Sequence, residues 1–221
     1  MKRIWVWIAI VLGILNLLLT ITVHLRAWQT LDWESLIALQ AVLPRTVDVP
    51  SSFLSWVGSV EVTGLVVLAI IFCARPAQRL PLLFGFSSAT VIELIGKTII
   101  NQPTTPDYLL RYVPLLPIFS AEVNPGFSFP SGHAVRTTFI VIVLIAMIAA
   151  SPLRRATKIA LYALLLALEG VMLVSRVYLA EHWLTDVIGG ALLGAAFALI
   201  ALAFPDFRSL RNFGSLIRKP F

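Results

Sequence analysis

Cysteine, charge and any long hydrophilic stretch are what this chain has little of. Its 221 residues include one cysteine, Cys73, so no intramolecular disulfide forms and a reactive thiol has no second cysteine to support it. Cys73 ends an apolar run and reads as a small buried apolar residue. Charged residues make up 13% of the chain against 59% hydrophobic, with a mean hydropathy of +0.92, outside the usage of soluble domains. The excess of 17 basic over 11 acidic residues gives a net charge of +6 but has no soluble basic face to sit on, which excludes nucleic acid as a partner and leaves anionic lipid as the surface those cations meet. No repeat, low-complexity tract or linker divides the sequence, so residues 1–221 read as one domain.

What is there instead is apolar runs of helical length. Six spans are expected, near Ile4–Val23, Phe53–Ala74, Leu80–Ile100, Gly132–Ala150, Ile159–Ser175 and His182–Phe204, each close to the ~20 residues that cross ~30 Å of hydrocarbon. The fold class is therefore all-α, a polytopic membrane protein. Positive loops stay on the cytoplasmic side. Lys2, Arg3, Arg75, Arg79, Arg154, Arg155, Lys158, Arg208, Arg211, Arg218 and Lys219 fall on one side, and Arg26, Arg45 and Arg111 on the other, which predicts both termini inside. Met1-Lys2-Arg3 and the run after it resemble a signal peptide, but no small-x-small cleavage site follows Thr22-Val23-His24, so an uncleaved first span is expected. The short chain without long appendages suggests a bacterial cytoplasmic membrane. The segment from Asn101 to Ser131 carries Pro103, Pro106, Pro114, Pro117, Pro125 and Pro130, which interrupt helix and suit a rim. Gly189, Gly190 and Gly194 offer a small face for helix packing.

Ionisable groups at membrane depth mark function unless they are paired. His182 and Asp186, four apart at the start of the last span, fall on one helical face, where a carboxylate can fix an imidazole tautomer and leave the other ring nitrogen free to attack. A helix-stabilising pair is the alternative at that spacing. Pro130-Ser131-Gly132-His133 opens the fourth span, and backbone N–H groups at a helix N-terminus bind anions. There Gly132 admits close approach, Ser131 can cap or contact the ligand, and His133 can act as general acid. Arg176 adds a planar fork for phosphate oxygens.

These residues resemble the motifs of the type 2 phosphatidic acid phosphatase superfamily, which also includes vanadium-dependent haloperoxidases and glucose-6-phosphatases. Its second motif stands as Pro130-Ser131-Gly132-His133, and its third as Ser175-Arg176, His182 and Asp186. The first departs from the pattern: Lys97 is present, but Thr104-Thr105 stand where Arg-Pro is expected. Losing that cationic contact would cost ~1.5–3 kcal/mol if nothing replaced it. Arg136, three residues after His133, is expected to face the same pocket and replace it. Its rival role is pairing with a buried acid, since Glu61, Glu93 and Glu169 also lie within spans. Glu93, four residues before Lys97, is placed to orient it, and Glu181 reads as a solvated loop residue.

The resemblance implies hydrolysis of a lipid phosphate without metal or cofactor. His182 would attack phosphorus, Asp186 steady it and His133 protonate the leaving group, while Lys97, Ser131, Gly132, Arg176 and Arg136 bind the phosphate. These residues map to the outer ends of their spans, so the site should face outside and take a lipid whose tails stay in the bilayer. Phosphatidic acid, phosphatidylglycerol phosphate, polyprenyl pyrophosphates such as the undecaprenyl form, and phosphorylated sugar lipids all remain open. Trp28, Trp33, Trp56, Tyr108 and Trp183 are expected to anchor the interface or line an entrance. A haloperoxidase, a lipid phosphotransferase and a noncatalytic lipid-phosphate binder are the competing functions.

Overall fold

A computed structural model describes residues 2–114 and 126–204. Those residues form eight α-helices: α1 (Lys2–His24), α2 (Gln29–Val42), α3 (Asp48–Val57), α4 (Val60–Cys73), α5 (Pro76–Ile99), α6 (Gly132–Ala150), α7 (Arg155–Tyr178) and α8 (Leu184–Ala203). Two single 3₁₀ turns, Arg45–Val47 and Asp107–Leu109, join them. Pro117 and Pro125 of the expected rim, and the basic C-terminal Arg208, Arg211, Arg218 and Lys219, lie outside the described residues.

Five helices, α1, α5, α6, α7 and α8, are long and apolar enough to cross a membrane. The sixth expected span is not one straight helix. The chain bends by 51° where α3 meets α4, so the expected run from Phe53 to Ala74 becomes a broken pair. The break has local causes: Gly58 ends α3, and the Ser59 hydroxyl caps α4 by accepting a hydrogen bond from the Val62 N–H at 3.4 Å. Neither half spans alone, because 14 residues of α4 rise only ~21 Å. Other boundaries also move. Pro76 at the first turn starts α5 before Leu80, α7 extends over Arg155–Tyr178, and α8 begins at Leu184, leaving His182 outside it.

The central helix is α8, which packs on α1, α6 and α5. Glycine permits this: a Cβ on Gly194 would lie 3.0 Å from the Val135 carbonyl carbon, and one on Gly190 2.8 Å from the Ala134 Cβ. The backbones of α6 and α8 therefore touch, as the small face predicts. Asn16 on α1 donates to the Gly189 carbonyl oxygen at 2.8 Å. One core cluster fills the end remote from the polar groups with Val67, Leu82, Phe139, Val143, Ala198 and Leu202. Outward faces stay apolar. Ile4, Trp7, Val11, Ile14 and Leu18 of α1 form an exposed stripe at helical spacing, the arrangement a lipid solvent favours. Cys73 is exposed, contrary to the buried reading, because it ends α4 on an outward face. Trp183 is buried, its indole donating to the Pro103 carbonyl oxygen at 2.7 Å, and so braces the rim instead of anchoring at an interface.

Candidate active site

The two intact motifs meet at one backbone hydrogen bond. The Ser131 N–H, at the start of α6, donates to the Asp186 carbonyl oxygen in the first turn of α8 at 2.9 Å. That bond seats the helix N-terminus beside His182 and Asp186. Ser131 is fully buried, and its hydroxyl caps α6 toward the Ala134 N–H.

His182 and Asp186 come together, although His182 precedes the helix. Its Nδ1 lies 3.5 Å from Asp186 Oδ2. The Oδ2 atom is fixed by the Ser128 hydroxyl at 2.7 Å and the Trp183 N–H at 2.9 Å. Among the described residues, Nδ1 of His182 and Oδ1 of Asp186 complete no hydrogen bond, so a shift of a few tenths of an ångström closes the pair. With Nδ1 turned to the carboxylate, Nε2 is the nitrogen available to a substrate. The linker Leu179–Trp183 is shaped by α7, whose Arg176 carbonyl oxygen accepts from the N–H groups of both Glu181 and His182. Ala180 takes a left-handed φ of 55°, a conformation costing ~1–2 kcal/mol for a residue with a Cβ. The Thr105 hydroxyl donates to its carbonyl oxygen. Thr105, standing where the first motif expects proline, therefore braces the linker.

Two cations converge on one carboxylate. Glu93 receives Lys97 Nζ at 3.1 Å on Oε1 and Arg136 Nη1 at 3.2 Å on Oε2. Gly132 lies directly against them, since a Cβ there would fall 2.7 Å from the Glu93 carboxyl carbon and 2.8 Å from Arg136 Nη1. Arg136 thus lies against Gly132 at the start of α6 while it pairs with the buried Glu93. Glu169 is satisfied separately by the Thr137 and Thr138 hydroxyls.

Sequence reasoning missed α3. Its serines face the site: His133 Nε2 lies 3.0 Å from the Ser55 carbonyl oxygen, and the Ser55 hydroxyl meets Arg176 and Glu181. Glu181 is not solvated. Its carboxylate is nearly buried and ion-pairs with Arg176, a contact forced by the turn that places residue 181 over the last turn of α7. Also missed was Asp32 on α2, which accepts from the Thr185 N–H at 2.9 Å, the Thr185 hydroxyl at 2.7 Å and Gln102 at 3.0 Å. Burial raises the Asp32 carboxyl above its ordinary value, an effect opposed by the Thr185 bonds. The serines of α3 and the lone Asp32 between apolar neighbours on α2 were the sequence signal for these contacts.

Among the described residues, no group of three or more His, Cys, Asp or Glu side chains is placed to hold a metal ion. An apolar cavity of about 470 Å³ between α7 and α8, lined by Leu173, Val177, Val187 and Ala195, is not bordered by His133, His182, Asp186, Lys97, Arg136 or Arg176 and is not the reaction pocket.

Comparison with known proteins bears on the fold and the family. A search of curated proteins finds no match. Among solved structures, the first transmembrane PAP2-type phosphatidylglycerolphosphate phosphatase from Bacillus subtilis shares the fold, with a TM-score of 0.68 and 22% identity, over 96% of this chain and 98% of that one. LpxE of Aquifex aeolicus aligns with a TM-score of 0.58 and 24% identity, over 78% of this chain and 94% of that one. The model of the PAP2 superfamily matches residues 78–209, and the chain belongs to that family.

Proposed function

We propose that this PAP2-family membrane lipid phosphatase works through a covalent phosphohistidine at His182, at the end of the bundle where Ser131 and Asp186 meet. The observation that carries the reading is the Ser131–Asp186 bond, which holds an anion-binding helix N-terminus against a histidine with a carboxylate at its back. Nε2 of His182 attacks phosphorus as the P–O bond to the leaving oxygen breaks. Asp186 stabilises the imidazolium that results. For this step His133 is the imidazolium, whose Nε2–H faces the Ser55 carbonyl oxygen, an atom that can only accept. Exchanging that bond for one to the leaving oxygen lets His133 deliver the proton. Water then attacks the phosphohistidine, His133 takes a proton from it, and phosphate leaves.

Lys97, Arg136, Arg176, Ser131 and the N–H groups around Gly132 neutralise the equatorial oxygens, where preorganised donors contribute most. With both termini on the cytoplasmic side, this end faces the exterior. The Bacillus protein acts on phosphatidylglycerol phosphate, so a phosphomonoester on a lipid headgroup is the first substrate class to test, with phosphatidic acid and undecaprenyl pyrophosphate beside it. Purified protein in detergent with EDTA should release phosphate from at least one of the three, and His182→Ala should abolish release. Phosphate retained by the denatured wild type as an acid-labile adduct would mark the intermediate. Transfer of phosphate to a second lipid instead of water would identify a phosphotransferase, and binding without release would overturn the enzymatic reading.

A further inference from the structure

Arg176 is fully buried and its five N–H groups are all engaged. Nε and Nη2 reach the Ser175 hydroxyl at 3.3 and 3.0 Å, Nη2 also reaches the Ser51 carbonyl oxygen at 3.3 Å, and Nη1 meets the Ser55 hydroxyl and the Glu181 carboxylate. A phosphate oxygen can reach this guanidinium only by displacing one of them. The Ser51 acceptor is backbone in α3 and cannot leave without unwinding that helix, and the Ser175 hydroxyl is held in place by donating to the Met172 carbonyl oxygen at 2.7 Å. Glu181 is the anionic partner among these, sits in the linker beside His182, and is steadied by the Ser55 hydroxyl at 3.0 Å.

We propose that Glu181 is a specificity-determining residue: its carboxylate occupies the phosphate seat on Arg176 in the unliganded protein, yields it to the substrate phosphate, and reclaims it as product leaves. The inference rests on the phosphatase reading. Its physical content is an exchange of anions on one buried cation. Glu181 weakens every phosphate ligand by the cost of displacing a paired, buried carboxylate. A lipid phosphate, held beside the site at high local concentration by its tails in the bilayer, overcomes that cost more readily than free phosphate does. Returning to Arg176, Glu181 then opposes rebinding of the product.

Glu181→Gln keeps the shape and the acceptor for Ser55 but removes the charge. Steady-state hydrolysis of a short-chain phosphatidic acid in detergent should show inorganic phosphate inhibiting this variant at a concentration at least tenfold lower than wild type, with a lower KM and no rise in kcat. Glu181→Ala should shift phosphate inhibition in the same direction. If Glu181 serves only to brace Arg176, both variants inhibit less readily and KM rises; that result, or no change, overturns the proposal. Calorimetric titration of inorganic phosphate into the same pair of proteins, each carrying His182→Ala, reports the seat without turnover. Tighter binding to the Gln variant is expected, and equal or weaker binding counts against Glu181 even if the wild type hydrolyses nothing, an outcome that by itself would sink only the phosphatase reading.

Discussion

Arg136 and Lys97 share one carboxylate, so the charge they offer a phosphate is less than two cations suggest. With Glu93 ionised, the trio carries a single net positive charge. Arg136→Gln brings it to zero and removes a charge-assisted contact worth ~1.5–3 kcal/mol, so kcat/KM should fall by roughly 10- to 150-fold. Adding Glu93→Gln restores the net charge through Lys97, and the double variant should recover part of the loss. If Arg136 matters only as the partner of Glu93, the single variant that still folds will keep its kcat/KM. A second residue-scale expectation concerns Ser128, whose hydroxyl holds Asp186. Ser128→Ala should lower kcat by about tenfold, the value of one hydrogen bond to a charged group, with KM little changed. That His182, Asp186, His133 and Arg176 belong to one candidate site was legible in the sequence because ionisable side chains in an apolar context have few other uses. Glu181 was misread because the turn that folds it back onto Arg176 is not visible in the apolar pattern, and Ser55 and Asp32 were overlooked because their partners Arg176 and Thr185 lie 121 and 153 residues away.

At the scale of elements, the site depends on how closely α6 and α8 approach. Gly194→Leu would drive a side chain into the Val135 backbone. Overpacking of this kind costs ~1–3 kcal/mol and pushes the helix that carries Ser131 from the one that carries Asp186. Thermal unfolding in detergent should drop by several degrees and activity should fall further than stability does; an unchanged transition would show that the helices can part without cost. The α2 helix joins the site through Asp32. Because burial raises its folded-state carboxyl above the unfolded value of 3.8, its stabilising contribution is complete below that value and is lost as pH rises through the folded one. Asp32→Asn should therefore destabilise the protein most in acid, and its unfolding temperature should converge on that of the wild type as pH increases. A gap that widens with pH would refute this sign. Helix positions were readable where apolar runs were long. The bend between α3 and α4 was not, because hydropathy registers apolarity and carries no direction, although Gly58-Ser59 is the pairing of helix stop and helix cap that could have revealed it.

At the scale of the whole molecule, the orientation of the bundle decides which leaflet supplies the substrate. The distribution of arginine and lysine predicts that Arg154, in the turn between α6 and α7, and Arg155 and Lys158, in the first turn of α7, lie in the cytoplasm and the rim Asn101–Pro106 outside. Helix α6 runs between these ends, so the rim and the α6–α7 turn must lie on opposite faces if α6 spans. The single cysteine makes the arrangement simple to test: in a Cys73→Ser background, Thr104→Cys puts a thiol on an exposed rim position and Arg154→Cys puts one on the opposite turn. An impermeant maleimide applied to intact cells or spheroplasts should label the first and spare the second until the membrane is opened. The reverse pattern would place His182 in the cytoplasm and make inner-leaflet lipids its substrates. Labelling of both from one side would mean that α6 does not cross, and the number of spans would then have to be counted differently. The expected pattern gives the polar groups a physical reason for their position: phosphate can be released to water on the outer side while the tails of the substrate never leave the hydrocarbon.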